Sequence, residues 1–418
     1  MQPTSVPLSD VNLTNLDTFV NDEAWGMFDT LRHEDPLHWS DEEGDGSGFW
    51  SVTRYEDIEM VNKDAETFTS TKFVNLEEPP TEFQDLRRSI LESDGTRHQT
   101  LRKLLARDFS VAQLRRYEEF LRDLARITVD TALQNEEFDF VDAIAADFPI
   151  QVLARLLAVP DEKIPQLISW GNEIVGFSDP ELARVMVDSA EAQNYKHLPF
   201  RSPVSLEIFE YGRQLAADRT GGDGEDLVSK LVNRIPEDGI PLSQSDYDNF
   251  FLLLVVAGNE TTRQAITLSM KALMDFPDQM QYFLDHPEKA QIGIEEMIRY
   301  ASPVYHFRRT ATKDVEMHGK QIKSGDKVVM WFASGNHDEE KFVDPYSLDL
   351  TRFPNDHMTF GKGAHACLGA NLARLEMKIM FETLLPRLES IEQAGPIDYV
   401  RSNFVHGVKR FPVRVKAK

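Results

Sequence analysis

Two stretches carry the most continuous hydrophobic patterning. The first opens at Ser243, with Asp246 three residues on, a pairing that caps a helix N-terminus. Phe250 to Ala257 is nearly all apolar, and helical spacing continues to about Met274, ahead of Pro277. A helix of that length is on the order of 45 Å long, enough to cross the molecule. Its all-round apolar section marks it as buried. The second stretch places Leu368, Leu372, Leu375 and Ile379 at i, i+4, i+7 and i+11, one apolar face of a helix that begins near Asn371.

Elsewhere the periods alternate. Leu37–Ser40 and Phe49–Thr53 flank the turn residues Asp45-Gly46-Ser47-Gly48 and predict a hairpin, with helical spacing from Tyr55 to Val61. Val74 to Glu92 holds a Pro-Pro pair and predicts a long loop with a short helix. From Leu114 to Val232 the pattern is helical, with breaks expected at Pro149, Pro160, Pro165 and Pro180 and an interruption from Gln193 to Val204. After Pro303 the pattern turns to strands: Phe307–Ala311, Val315–Met317, Lys320–Ile322 and Val328–Trp331. Asn403–Gly407 and Val413–Val415 predict a C-terminal hairpin. The expectation is one mainly α domain over residues 1–418 with small β-sheets, β-rich at roughly 36–70, 303–332 and 400–418. There is no internal repeat and no low-complexity linker.

Apolar residues make up 41%, enough for a large core. The net charge of −25 argues against general nucleic-acid affinity. No run approaches the roughly 20 apolar residues that span a membrane, and the polar, acidic first thirty residues do not read as a signal or anchor. A cytoplasmic enzyme is expected. Cys367 is the sole cysteine, which excludes an intrachain disulfide and a multi-cysteine metal site.

That cysteine sits in Phe360-Gly-Lys-Gly-Ala-His-Ala-Cys-Leu-Gly369, a glycine-rich loop just ahead of the second helix. Most free cysteines are small buried hydrophobes. Here the helix N-terminus and the loop N–H groups favour a thiolate, a good ligand for a soft metal or a haem iron. In the first helix, Gly258, Asn259, Glu260, Thr261 and Thr262 interrupt a buried apolar run, at a cost of about 1 kcal/mol for the glycine alone. Local rules broken together mark a functional site. Ala257, Thr261 and Ala265 form a stripe of small residues against which a flat cofactor could lie, although Thr261 could equally bond back to its own helix. His98 and Arg102 share one face of a helix, and Glu296 and Arg299 form an i, i+3 pair.

These motifs, in this order, resemble the cytochrome P450 family over essentially the whole chain. The resemblance implies that haem b lies between the long central helix and the Cys367 loop. It makes Cys367 the axial ligand, packs Phe360 beside the sulfur, and places His98, Arg102, Arg309 and His365 at the propionates, with Ala257 against the macrocycle. It gives Thr261 a hydrogen bond to bound dioxygen and Glu260 a proton relay. Glu296, Arg299 and Arg352 become structural clamps, residues 193–204 a mobile lid, and Tyr305, His306 and Phe307 neighbours of the substrate. The implied activity is monooxygenation of a small hydrophobic substrate, a terpenoid, alkyl-aromatic or steroid-like compound, with O₂. Two electrons would come from an acidic ferredoxin docking on Arg102, Lys103, Arg107, Lys362, Arg374 and Lys378. A peroxide-driven peroxygenase and a non-catalytic haem protein share the fold and remain open. A zinc site at His365 and Cys367 lacks further ligands in sequence.

Overall fold

The computed structural model describes residues 3–42 and 46–418. Asp45, expected in the first hairpin turn, lies outside the described residues. Strands β1 (Leu37–Ser40), β2 (Phe49–Val52) and β3 (Phe68–Thr69) fall early in the chain. β4 (Glu137–Asp139) lies among the helices. β5 (His306–Ala311), β6 (Val315–Met317), β7 (Lys320–Ile322) and β8 (Lys327–Trp331) follow. β9 (Leu388–Gln393), β10 (Asp398–Tyr399), β11 (Val408–Arg410) and β12 (Pro412–Ala417) close the chain. The largest sheet has the order β1-β2-β8-β5-β3. β8 is buried along its whole length, as its unbroken Val-Val-Met-Trp run requires of a central strand. It pairs parallel to β2 with Phe49 opposite Lys327, and antiparallel to β5 with His306 opposite Trp331.

Helices make up the rest. The main apolar core packs Glu118–Ala132, Asp147–Leu157, Glu260–Asp275, Ala290–Ala301 and Ala370–Leu384 together. The central helix begins as its sequence predicts. Ser243 Oγ accepts from Asp246 N at 3.1 Å, and Asp246 Oδ2 accepts from Ser243 N at 3.0 Å. It is not continuous, however. Gln244–Ala257 and Glu260–Asp275 are separated at Gly258 and Asn259. The Thr261 hydroxyl donates to Ala257 O at 2.9 Å, which is the kind of back-bond that bends a helix.

Three further expectations change. Pro149 does not end its helix: the π-helical stretch Val141–Ala146 runs directly into Asp147–Leu157, and the wider turn ahead of the proline marks the disturbed bonding instead of a break. Residues 403–407 and Val413–Val415 do not form one hairpin. Residues 403–407 lie in the connection between β10 and β11, while β12 pairs with β9 and β4. The interruption is also longer than 193–204. Between Ile164–Val175 and Val204–Arg219 only two 3₁₀ turns occur, Glu191–Tyr195 and Pro199–Arg201. No helix among the described residues is long and apolar enough to cross a membrane.

Candidate active site

The cysteine loop closes on itself. Cys367 N donates to Phe360 O at 2.7 Å and Gly361 N to Met358 O at 2.7 Å. Gly361 and Gly363 both have positive φ, 65° and 68°, which explains two of the three glycines. Cys367 is exposed although it lies deep in the fold. Burial pushes this thiol above its ordinary value, although the N–H groups of Gly369 and Ala370 and the charges of Arg102 and Arg374 pull it down. The helix end alone therefore does not make the thiolate; a cation at the sulfur would. Phe360 is held by Arg374, whose guanidinium lies 4.4 Å from the ring centroid.

Around the cysteine the fold gathers positive charge. Among the described residues neither Arg102 nor Arg309 has a carboxylate within salt-bridge distance. Arg309 is only 4% exposed, and its one bond runs to Arg308 O at 2.9 Å. Burial pushes Arg309 down to about 10. Arg102 is half-buried and lies within electrostatic reach of Cys367. The His98 and His365 rings lie with centroids 4.0 Å apart, tilted by 32°. Burial, with His365 and Arg102 nearby, pushes His98 down to about 4, so the expected pair of cations is one cation and one neutral imidazole. A buried and a half-buried guanidinium, neither with a carboxylate in salt-bridge distance among the described residues, are the complement of an anionic pair such as haem propionates, so the residues fit that cofactor.

Along the central helix, Ala257 is exposed and Leu253, Val256, Gly258 and Thr261 are partly exposed, while Leu254, Val255, Asn259 and Glu260 are buried. Ala265, the third member of the expected stripe, is buried at 4% exposure. Glu260 is also buried. It takes Arg263 Nη1 at 3.1 Å and Asn259 Nδ2 at 3.3 Å, and Arg263 Nη1 also reaches Asn172 Oδ1 at 2.5 Å. Burial raises the Glu260 carboxyl, with Arg263 opposing.

The clamp is complete. Glu296 accepts from Arg299 Nε at 2.7 Å, Arg299 Nη2 at 2.8 Å, Arg352 Nε at 3.0 Å and Asn355 Nδ2 at 2.9 Å. Arg299 Nη1 continues to Asn336 O at 2.6 Å.

Three residues escaped the sequence reading. Asn336 is fully buried. It donates to Ser302 Oγ and Thr359 Oγ1, both at 2.8 Å, and accepts from Met358 N at 2.6 Å. Asn62 Oδ1 accepts from Lys362 N at 2.5 Å. Asp94 takes Thr69 Oγ1 (2.5 Å), Ser70 Oγ (2.6 Å) and His365 Nε2 (2.9 Å) instead of capping its own helix. Its place immediately before the glycine that opens that helix was the one local signal.

The expected basic patch is largely neutralised. Lys103 pairs with Glu237, Lys362 with Asp356, Arg374 with Glu295 and Lys378 with Glu382. Of that set, Arg107 is exposed without a carboxylate partner among the described residues.

A lone cysteine heading a helix, with Arg102 in reach of its sulfur and the buried Arg309 free of any carboxylate contact among the described residues, is the setting of a cysteine-ligated haem. Residues 290–409 match the family model for cytochrome P450. The chain is 36% identical to a methyl-branched lipid omega-hydroxylase of Mycobacterium tuberculosis, over 98% of this chain and 96% of that one. It is 35% identical to a steroid C26-monooxygenase of Mycolicibacterium smegmatis, over 92% of this chain and 88% of that one. A cytochrome P450 from Mycobacterium marinum, solved in complex with pseudoionone, superposes with a TM-score of 0.88 at 35% identity, covering 98% of this chain and 99% of that one. The chain belongs to the cytochrome P450 family and is a haem-dependent monooxygenase.

Proposed function

We propose that this enzyme hydroxylates the terminal carbon of a branched aliphatic chain, on a lipid or a sterol side chain, using O₂ and electrons from a ferredoxin. The observation that carries the haem assignment is that Arg102, within electrostatic reach of Cys367, and buried Arg309 have no carboxylate in salt-bridge distance among the described residues, in a chain of net charge −25. The two relatives named above, a methyl-branched lipid omega-hydroxylase and a steroid C26-monooxygenase, support the substrate class. The ferredoxin reading rests on the single cysteine, which leaves no internal iron–sulfur ligand set.

Cys367 would hold the iron, and Arg102 and Arg309 would receive the propionates, with His98 and His365 donating beside them. Phe360 shields the sulfur, and Ala257 leaves room for the macrocycle. Bound haem supplies oxygen activation and C–H oxidation, drawing on two electrons. Thr261 donates inward to Ala257 O, so its oxygen lone pairs remain for a donor on the open side, and rotation of the hydroxyl hydrogen hands a proton on. Glu260, with its carboxyl raised by burial, carries protons to that hydroxyl once it leaves Arg263. Apolar surroundings keep bulk water from the reacting centre.

The test is a titration of the holoenzyme with branched fatty acids, sterols, terpenes and alkylbenzenes, read by the haem absorption band and followed by product analysis. Branched aliphatic substrates are expected to shift the band and to yield terminal alcohols with a ferredoxin system. Thr261→Ala should keep the band shift and lose most product per electron consumed. A preference for another substrate class, or equal turnover with peroxide alone, would overturn the proposal.

A further inference from the structure

The lid seam contains a charge arrangement that the catalytic reading does not use. Glu77 lies on the segment leading to the short helix Gln84–Arg87. Its carboxylate takes Arg87 on both oxygens, Nη1 to Oε1 at 2.8 Å and Nη2 to Oε2 at 3.0 Å. The same Oε1 takes Arg201 Nε, from the lid, at 2.9 Å. Arg87 also reaches across to Lys196 O at 3.2 Å. Phe83 and His197 meet edge to face at 6.0 Å. One carboxylate thus joins two cations from opposite sides of the seam.

The pair is poorly compensated without it. The Arg87 side chain is 6% exposed, and its Nε has no partner. Removing Glu77 leaves Arg87 and Arg201 facing each other with no anion between them. The backbone on both sides is strained as well. Phe73 has φ 73°, and the consecutive lid residues Phe200 and Arg201 have φ 56° and 49°. Non-glycine residues hold such conformations only where the surroundings enforce them. The other end of the lid is fixed separately. Buried Asp179 accepts from Arg401 N at 2.9 Å and Lys409 Nζ at 3.0 Å, and Ser178 Oγ donates to Arg401 O at 2.8 Å. One end is therefore anchored to the β10–β11 hairpin, while the other hangs on the Glu77 seam.

We propose that Glu77 gates substrate access, its carboxylate holding the lid shut by bridging Arg87 to Arg201. This rests on the family resemblance that makes residues 193–204 a mobile lid and on the proposed function. Burial raises the Glu77 carboxyl, but the two arginines more than offset it and hold the group ionised. Opening then requires breaking the charge-assisted bonds to Arg201 and Lys196 O, while Arg87 keeps Glu77 on its own side.

The test uses the haem-loaded full chain with Glu77→Gln and Arg201→Gln. Amide hydrogen exchange over residues 191–203 should accelerate roughly tenfold or more in both variants, with the Ala370–Leu384 helix unchanged. Stopped-flow binding of phenylimidazole, a nitrogen ligand to haem iron, should show on- and off-rates rising together with little change in affinity. That probe is independent of the substrate class, so its outcome separates the gate from the proposed reaction. The double variant should be no more open than Glu77→Gln alone. Unchanged lid exchange in Arg201→Gln, which removes only the lid-side partner, would overturn the latch. Faster exchange with unchanged ligand rates would overturn the gate.

Discussion

Replacing Asn336 with alanine tests whether a residue remote from the iron sets the cysteine loop. The side chain makes three hydrogen bonds, two to hydroxyls at 2.8 Å and one from Met358 N at 2.6 Å. A buried neutral hydrogen bond contributes about 1 kcal/mol, and an orphaned buried N–H costs about 1–3 kcal/mol. The two hydroxyls can re-pair in part, because Ser302 Oγ also donates to Arg299 O at 2.7 Å and Thr359 Oγ1 to Ile298 O at 3.1 Å. Met358 N cannot, so the expected loss is about 3 kcal/mol. For a chain of 418 residues, the usual unfolding entropy converts that into a fall in Tm of about 3 °C. Met358 is two residues before Phe360, whose carbonyl accepts from Cys367 N. A loosened Met358 therefore reaches the ligand loop, and haem should be lost faster to an apo-protein acceptor. Calorimetry and haem-transfer rates read the two effects separately. Thr359→Val should cost about 2 kcal/mol alone and only about 1 kcal/mol in the Asn336→Ala background, where just the bond to Ile298 O is left to lose. A Tm change below about 1 °C with unchanged haem loss would refute the reasoning.

Arg309→Gln removes a buried charge that has no carboxylate within salt-bridge distance among the described residues. It should leave the apo-protein at least as stable while weakening haem affinity about 10- to 100-fold, the worth of one charge-assisted contact; equal losses in both would count against a propionate role. Glu295 is bound by Arg374 Nε at 2.7 Å and His357 Nε2 at 3.2 Å. Burial opposes the charge, but these partners hold the carboxyl down to about 2. Because its folded value is depressed, its contribution, on the order of 3 kcal/mol at most, is present above pH 4.5 and is lost as pH falls toward 2. Glu295→Gln should therefore lower stability at pH 6 and flatten the acid limb between those values in urea titrations; an acid limb as steep as that of the parent would contradict this.

What the sequence determined on its own was the local chemistry. The Ser243–Asp246 box, the positive-φ glycines before Cys367 and the Glu296–Arg299 pair all lie within a few residues of their partners. Short spacing translates into geometry without knowledge of the fold. The family and its haem were legible for the same reason, because the ligand loop is continuous in the chain. The tertiary structure decided everything that depends on distant partners. Asp94 meets His365 across 271 positions, and Asn62 meets Lys362 across 300. Five of the six cations of the expected docking patch look equivalent in sequence to Arg107, yet four are neutralised by acids brought from other segments. His98 reads as a cation beside Arg102 until burial and His365 deprotonate it. The break at Gly258 was visible as a weakness in a helix, but only packing against Asn172 and Arg263 turned Glu260 inward. Charge state and pairing are set by desolvation and by long-range proximity, and neither is a property of spacing along the chain.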